Sequence, residues 1–499
     1  MLRDLLLSSS GGTDRSLGRC LLYFIPIAAI ALFVHRDLYA GRAPLTGVSH
    51  AQRSFDAAVN AAYCGKPDWY SARYSVHTFL TTRPDLMSHP MRNVVAAQAV
   101  SVDDYCVKVN DPIVLEENSL HWLERFALWS NAHMTPDHLV QFLGACRMCM
   151  LLVFGFALLR SGASVLFSLA SVVIAGDVAG GARDTAYTFA MALPLLHAGL
   201  YGIALSLEAI KRRGAGLWVF ALGMGVLTAF SAGMRTNQMP IGIGMFAVFL
   251  AAIAWRARRP VTMTPLIAAV VAFAVGYGAY MAVFVVPLRN PKLENYIYHP
   301  FAHPLVLGLG VPENELSRRE GIQWNDEVGL AIAKRVVPDV AYLGPHYDTA
   351  LLEYYGGLWR REPREMLSVY LLKLRSTGSG VFLSAANVAT RYLVPHGIGE
   401  WLDRLTNGVV LVGLALAMFV VGVWRYSRGA GNRLLIVSLL GLTALASFWE
   451  SWMTYSLYVG LYFSIQLFFV FFAALVAIQA AVDAAARRWP RPVSPAPVI

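Results

Sequence analysis

The chain has 499 residues, 57% of them hydrophobic and 14% charged, with a formal net charge of +10 and a mean hydropathy of +0.51. Soluble domains carry about 25% charged residues, so this composition excludes a soluble globular protein and predicts an all-α polytopic membrane protein. No nucleic-acid-binding motif accompanies the positive charge, and nucleic acid is not expected as a partner.

Taken in chain order, basic residues lead into LLYFIPIAAIALFV. This could pass for a signal peptide, but the following HRDLYAGRAP has no small-x-small cleavage site, so Leu17–Val34 is read as a retained first span. Residues 1–34 are then a cytoplasmic tail and first transmembrane helix. A polar segment follows over 35–138. Helices 2–7 occupy 139–287, as Leu139–Leu159, Gly162–Ala179, Thr185–Leu207, Gly216–Ala232, Met239–Ala254 and Thr264–Pro287. A second polar segment covers 288–407. Helices 8–10 fill 408–484, as Gly408–Val423, Leu434–Phe448 and Tyr455–Val482. The Pro-rich 485–499 tail is expected to be a disordered cytoplasmic end. Most of the ten runs are long enough for about 30 Å of hydrocarbon. Within the second polar segment EMLSVYLLKLR, Glu365–Arg375, is apolar enough to lie in the membrane interface. If it and Val381–Val394 crossed, the count would rise to twelve with unchanged parity.

Orientation follows from the short loops. One set of segments holds Arg3, Arg15, Arg19, Arg160, Lys211, Arg212, Arg213, Arg256, Arg258, Arg259, Arg425, Arg428, Arg433, Arg487, Arg488 and Arg491. The alternate short loops hold only Arg183 and Arg235. Both termini are therefore expected in the cytoplasm of a bacterial cell, with the protein in its inner membrane. The two large polar segments then share the outer face, where 24 of the 31 acidic residues and 11 of the 12 histidines lie.

Four groups of residues could carry chemistry there. Asp37, in FVHRDLYAGR, stands three residues past the first span, either as an interfacial charge or as a base toward a hydroxyl. Asp103 and Asp104, in AVSVDDYCVKVNDP, form either a solvated acidic turn or a carboxylate pair able to hold a divalent cation. Arg183 and Arg235, at headgroup depth, suit a phosphate or pair with nearby acids. Arg147, inside the second span in GACRMCM, is costly at that depth, and such a charge usually faces a cavity or a partner, as structural glue or as the lining of a lipid-phosphate site.

The last group begins at YIYHPFAHPLVLGLG. His299 and His303 stand four apart, but each precedes a proline, which disfavours the helix that a two-histidine metal site needs. They are read as a kinked lip. Beyond them Trp324, Asn325 and Asp326 (QWND), then His346, Tyr347 and Asp348 (PHYD), combine aromatic faces with polar edges. Such a set suits a sugar, or equally a loop packed on the interface. Cys64 and Cys106 either pair in an oxidising compartment or remain free thiols. Cys146 and Cys149 are read as small buried residues within a span.

The layout of one span, a long outer segment with a carboxylate at its start and a paired carboxylate further on, then many spans, resembles the GT-C superfamily of glycosyltransferases. The resemblance implies transfer of a sugar from a polyprenyl-phosphate-linked donor to a glycan, lipid or protein acceptor on the extracytoplasmic face, as in cell-envelope polysaccharide biosynthesis. It implies catalytic roles for Asp37 and for Asp103–Asp104, and a donor-phosphate role for Arg183 or Arg235; Arg147 joins these as a further candidate. No cofactor is certain, and a divalent cation is used by only some members. The alternatives are an O-antigen ligase or polymerase type of enzyme, a transporter or flippase of lipid-linked sugars, and a non-catalytic assembly subunit.

Overall fold

The computed structural model describes residues 5–8, 15–35, 49–66, 69–70, 72–109, 111–112, 118–181, 185–207, 210, 214–235, 238–255, 263–288, 301–376, 408–428, 431–454 and 464–488. Asp37, Arg183, His299, Val381–Val394 and the 489–499 tail lie outside them.

The described chain is helical apart from one two-residue antiparallel pair. Ten apolar helices form the body: α1 (Leu17–Val34), α7 (Pro136–Arg160), α8 (Val165–Gly181), α9 (Thr185–Ala204), α10 (Ala215–Met234), α11 (Gln238–Trp255), α12 (Met263–Tyr280), α18 (Gly408–Ser427), α19 (Arg433–Thr454) and α20 (Ser464–Arg488). Seven are long and apolar enough to cross a membrane, while the apolar parts of α8, α9 and α19 are shorter. The protein is thus a polytopic α-helical membrane protein. Proline is tolerated at Pro26 in α1 and Pro194 in α9 because neighbouring helices can satisfy the backbone groups it frees.

One apolar core joins these helices, from Met148 and Phe154 of α7 through Tyr201, Phe249 and Ile436 to Phe468 and Phe472. Small residues set the closest approaches. A Cβ at Gly225 of α10 would run into the Phe273 carbonyl of α12, and one at Gly276 into the Leu222 carbonyl. Each glycine therefore lets the opposite backbone touch its own, as is common where helices pack in lipid.

The first large segment folds as α2 (Ser49–Cys64), α3 (Val76–Thr82), α4 (Met91–Ala97), α5 (Val102–Lys108) and α6 (Asn118–Ser130). Strands β1 (Trp69–Tyr70) and β2 (Asp111–Pro112) pair within it. Cys64 and Cys106 form a disulfide, Cα–Cα 5.4 Å, which settles the open pairing. The core of this segment runs without a break into the ends of the bundle, where Phe55, Val94, Tyr105 and Leu120 pack with Leu139, Leu143, Phe189, Leu193 and Met234. Ser119 meets the Tyr280 hydroxyl at 2.6 Å, and Trp122 Nε1 donates to the Phe284 carbonyl at 2.5 Å.

The second large segment contains α13 (Ala302–Leu307), α14 (Glu315–Glu320), α15 (Asp326–Val336), α16 (Tyr347–Arg361) and α17 (Pro363–Ser376) around its own core of Val306, Leu316, Ile332, Leu351 and Met366. It is fixed to the end of α19. Trp452 Nε1 donates to the Tyr370 carbonyl at 2.9 Å, and the buried Lys373 donates to the Gly308 and Met453 carbonyls at 2.9 and 3.1 Å. Helix α17 is apolar on two sides. Met366, Val369 and Tyr370 face the core, and Leu367, Leu371 and Leu372 are exposed.

The opposite end of the bundle gathers other parts. Arg15 hydrogen-bonds the Arg160 and Ala163 carbonyls. Asp483 of α20 accepts from the Ser8 amide at 3.0 Å and lies 3.7 Å from Arg433. Residues near the N-terminus therefore meet the last helix at the end remote from both large segments.

Two readings are corrected here. His303 is helical: α13 starts at Ala302, so Pro304 falls in the first turn, where a missing N–H breaks no intrahelical bond. Cys146 and Cys149 are not buried core residues; both are free, the first half-buried and the second exposed.

Candidate active site

Residues from three helices of the second large segment converge on His303. Asn325 caps α15 by accepting from the Glu327 amide, which places Asp326 at the first helical position. Tyr347 and Asp348 open α16 behind a turn in which Leu343 and His346 have φ of 54° and 67°, a region non-glycine residues seldom occupy. Asp348 Oδ1 accepts from the Ala302 amide at 2.6 Å, so a carboxylate sits at the start of α13.

His303 bridges the other two. Its Nε2 lies 3.2 Å from Asp326 Oδ1 and its Nδ1 2.7 Å from the Tyr347 hydroxyl. An ionised carboxylate can only accept, which assigns the imidazole proton to Nε2 and makes Nδ1 the acceptor for the tyrosine O–H. The result is a chain, Tyr347 to His303 to Asp326, running from buried to open. Tyr347 is fully buried, the His303 side chain is 12% exposed and that of Asp326 71% exposed. Burial holds His303 below the ordinary histidine value, opposed by the charges of Asp326 and Asp348. Burial also pushes the Tyr347 hydroxyl well above the usual tyrosine range. Tyr342 stands edge-on to both rings. Gly329 makes the arrangement fit, because a Cβ there would come 2.8 Å from the Tyr347 hydroxyl and 2.9 Å from His303.

Of the residues expected to bind substrate, His303, Asp326, Tyr347 and Asp348 are brought together. Asn325 serves as a cap, Trp324 is half-buried beside it, and His346 is exposed at the head of α16. Elsewhere, Asp103 and Asp104 occupy the first turn of α5 below the Ser101 cap, and Asp104 pairs with Lys108 at 2.6 Å. Arg147 is half-buried in α7, its guanidinium 5.9 Å from the Phe189 ring centroid. Phe189 is in the second turn of α9, so this charge leans toward the end that carries the large segments. Arg235 follows directly on α10 at that same end. Among the described residues, no three His, Cys, Asp or Glu side chains are grouped as metal ligands.

The sequence reading missed a buried polar set in the first large segment. Asp56 accepts from Ser75 Oγ at 2.6 Å and from the His77 amide at 3.0 Å. Burial pushes its carboxyl up to about 7, against the lowering pull of those two bonds. Ser54 donates to the buried Glu124, and Tyr105 to Asn60. Burial also lowers His77 to about 4 and His121 to about 3, so both are neutral. The available signal was Asp56 and Asn60 four apart in an Ala-rich helix, which puts both on one face.

Comparison of the chain with protein-family models, with curated proteins and with solved structures finds no match.

Proposed function

We propose that the protein is an integral-membrane glycosyltransferase of GT-C-like architecture, moving a sugar from a polyprenyl-phosphate-linked donor to a glycan, lipid or protein acceptor. The observation that carries this reading is the open carboxylate of Asp326, held by His303, which Tyr347 anchors in turn, on a helical segment built onto the end of a polytopic bundle. Ten spans with both termini in the cytoplasm would put the two large segments outside. The charge bias of the short loops and the Cys64–Cys106 disulfide, which requires an oxidising compartment, support that placement, in the bacterial inner membrane.

In this mechanism a carboxylate removes the proton of an acceptor hydroxyl as the oxygen attacks the anomeric carbon. The lipid phosphate leaves with the bonding electron pair. Asp37 and Asp103 or Asp104 are the base candidates. Asp326, with His303 behind it, would orient sugar hydroxyls. Arginine at Arg147, Arg183 or Arg235 would stabilise charge on the departing phosphate. A divalent cation could share that task.

An O-antigen ligase or polymerase type of enzyme is the second reading, favoured by a histidine-centred site in a large segment late in the chain. One set of variants separates the two. Asp37→Asn, Asp103→Asn, Asp326→Asn and His303→Asn are compared for glycan transfer in cells at matched membrane levels. Abolished transfer in the Asp37 or Asp103 variant, with only a partial fall in Asp326→Asn and His303→Asn, is the GT-C outcome. The reverse pattern supports a ligase type, and full transfer in all four removes both assignments.

A further inference from the structure

Helix α6 is inside out for a helix in water. Its sequence, NSLHWLERFALWS, splits into two faces. Leu120, His121, Glu124, Ala127 and Leu128 are buried, so the ionisable His121 and Glu124 point inward. Trp122, Phe126 and Trp129, at i, i+4 and i+7, share the other face. Phe126 is 55% and Trp129 81% exposed. A helix facing water hides its large apolar side chains and turns its charges outward.

The helix is also pinned at span ends. In its first turn Ser119 meets the Tyr280 hydroxyl of α12 and leans on Gly233 in the last turn of α10. One turn on, Trp122 donates to the Phe284 carbonyl and stands edge-on to that ring, 5.4 Å between centroids. Beyond Ser130, five residues lead to Pro136, the start of α7. A helix of 13 residues is about 20 Å long. Held at span ends on both sides, α6 runs across the end of the bundle and does not rise away from it.

The aromatic face adjoins the exposed side of a span. The apolar stretch Met263–Val285 is exposed at Ile267, Val270, Val271 and Val275, and again at Val283 and Phe284, the residue against Trp122. In a bundle that crosses a membrane, such side chains meet lipid. Arg125 belongs to the same edge of α6, its guanidinium 4.7 Å from the centre of the Trp122 ring. Tryptophan beside a cation is the composition of the membrane–water boundary, where rings enter the acyl region and the cation meets headgroup phosphate.

We propose that the Trp122–Phe126–Trp129 face of α6 is a lipid-binding surface, seated in the bilayer leaflet on the side of the two large segments, with Arg125 against headgroup phosphate. It anchors the first large segment at the membrane surface. The proposal depends neither on the reaction proposed above nor on which side of the membrane is outer.

The test uses the full chain in nanodiscs, with Cys20, Cys146 and Cys149 replaced by alanine and the Cys64–Cys106 disulfide kept. Phe126→Cys and Trp129→Cys each carry a small fluorophore, with Thr81→Cys as the water-facing control and Val271→Cys as the lipid-facing one. A lipid bearing a doxyl group near the top of its acyl chain should quench the labels at 126 and 129 by about half or more, because an interfacial helix sinks its apolar face about 5–10 Å. Iodide in the buffer should quench them far less than the label at 81. Quenching by iodide as strong as at 81, with no effect of doxyl lipid, means an open face and overturns the proposal; a glycan-stacking platform would give that pattern. Protection from both quenchers means that protein covers the face, a second copy or another part of this chain, and overturns it equally. Unlabelled protein gives an independent reading: the emission removed by Trp129→Phe should be quenched by doxyl lipid and spared by iodide.

Discussion

Asp56 shows how burial can turn a carboxylate into a pH-dependent element of stability. Its folded value of about 7 lies above the unfolded 3.8, so the native state holds the extra proton between them. That contribution is full below pH 4 and is lost as pH rises through 7. Asp56→Asn mimics the protonated side chain, and its amide can still serve Ser75 and the His77 amide. It should therefore gain thermal stability over wild type above pH 7, by roughly 2–4 kcal/mol, and show no gain at pH 4; unfolding scans across pH 4–8 check this. Gly329 makes a second prediction. Gly329→Ala would place a methyl 2.8–2.9 Å from Tyr347 and His303, forcing them apart and freeing Asp326. Glycan transfer should fall at least tenfold if Asp326 acts as proposed, while the overpacking costs about 1–3 kcal/mol of stability. Transfer and unfolding measured on the same preparation separate the two effects. His303 itself was legible in the sequence as a polar residue among aromatics. Its helical setting was not, because Pro304 falls in the first turn and breaks no hydrogen bond there, and the packing of α13 overrides the steric bias against helix at the residue before proline.

At the scale of elements, the length of apolar runs located the apolar helices well. Each apolar run read from the sequence overlaps one of the ten apolar helices. It located the short helices of the large segments less well, since α3, α4, α5, α13 and α14 are six or seven residues long and owe their ends to caps such as Ser75, Ser101 and Asn314. The disulfide ties the end of α2 to α5 across 42 residues. A Cys64→Ser, Cys106→Ser double variant should lose about 2–4 kcal/mol. The loss should be confined to the first large segment, seen as faster hydrogen exchange in α2 and α5 with α13–α17 unchanged. Exchange that quickens equally in both segments would mean that they share one folding unit, contrary to their separate cores.

Across the whole molecule, both large segments attach to one end of the bundle, and the N-terminal residues meet α20 at the other. Cysteines introduced at Ser8 and at His346 of a cysteine-free background should therefore label from opposite sides. An impermeant maleimide added to whole cells is expected to reach 346 and not 8; labelling of both, or of 8 alone, would refute the orientation. Composition and apolar run length determined the membrane class, the apolar helices and the division into two large polar segments, because hydrophobicity is local and additive along the chain. Tertiary structure alone decided which polar residues meet. His303 finds Asp326 and Tyr347 across 23 and 44 positions, whereas Asp103 and Asp104 settle in a helix turn beside Lys108. Spacing in sequence cannot reveal such meetings, because they depend on the packing of α13, α15 and α16 and on the glycine that leaves them room.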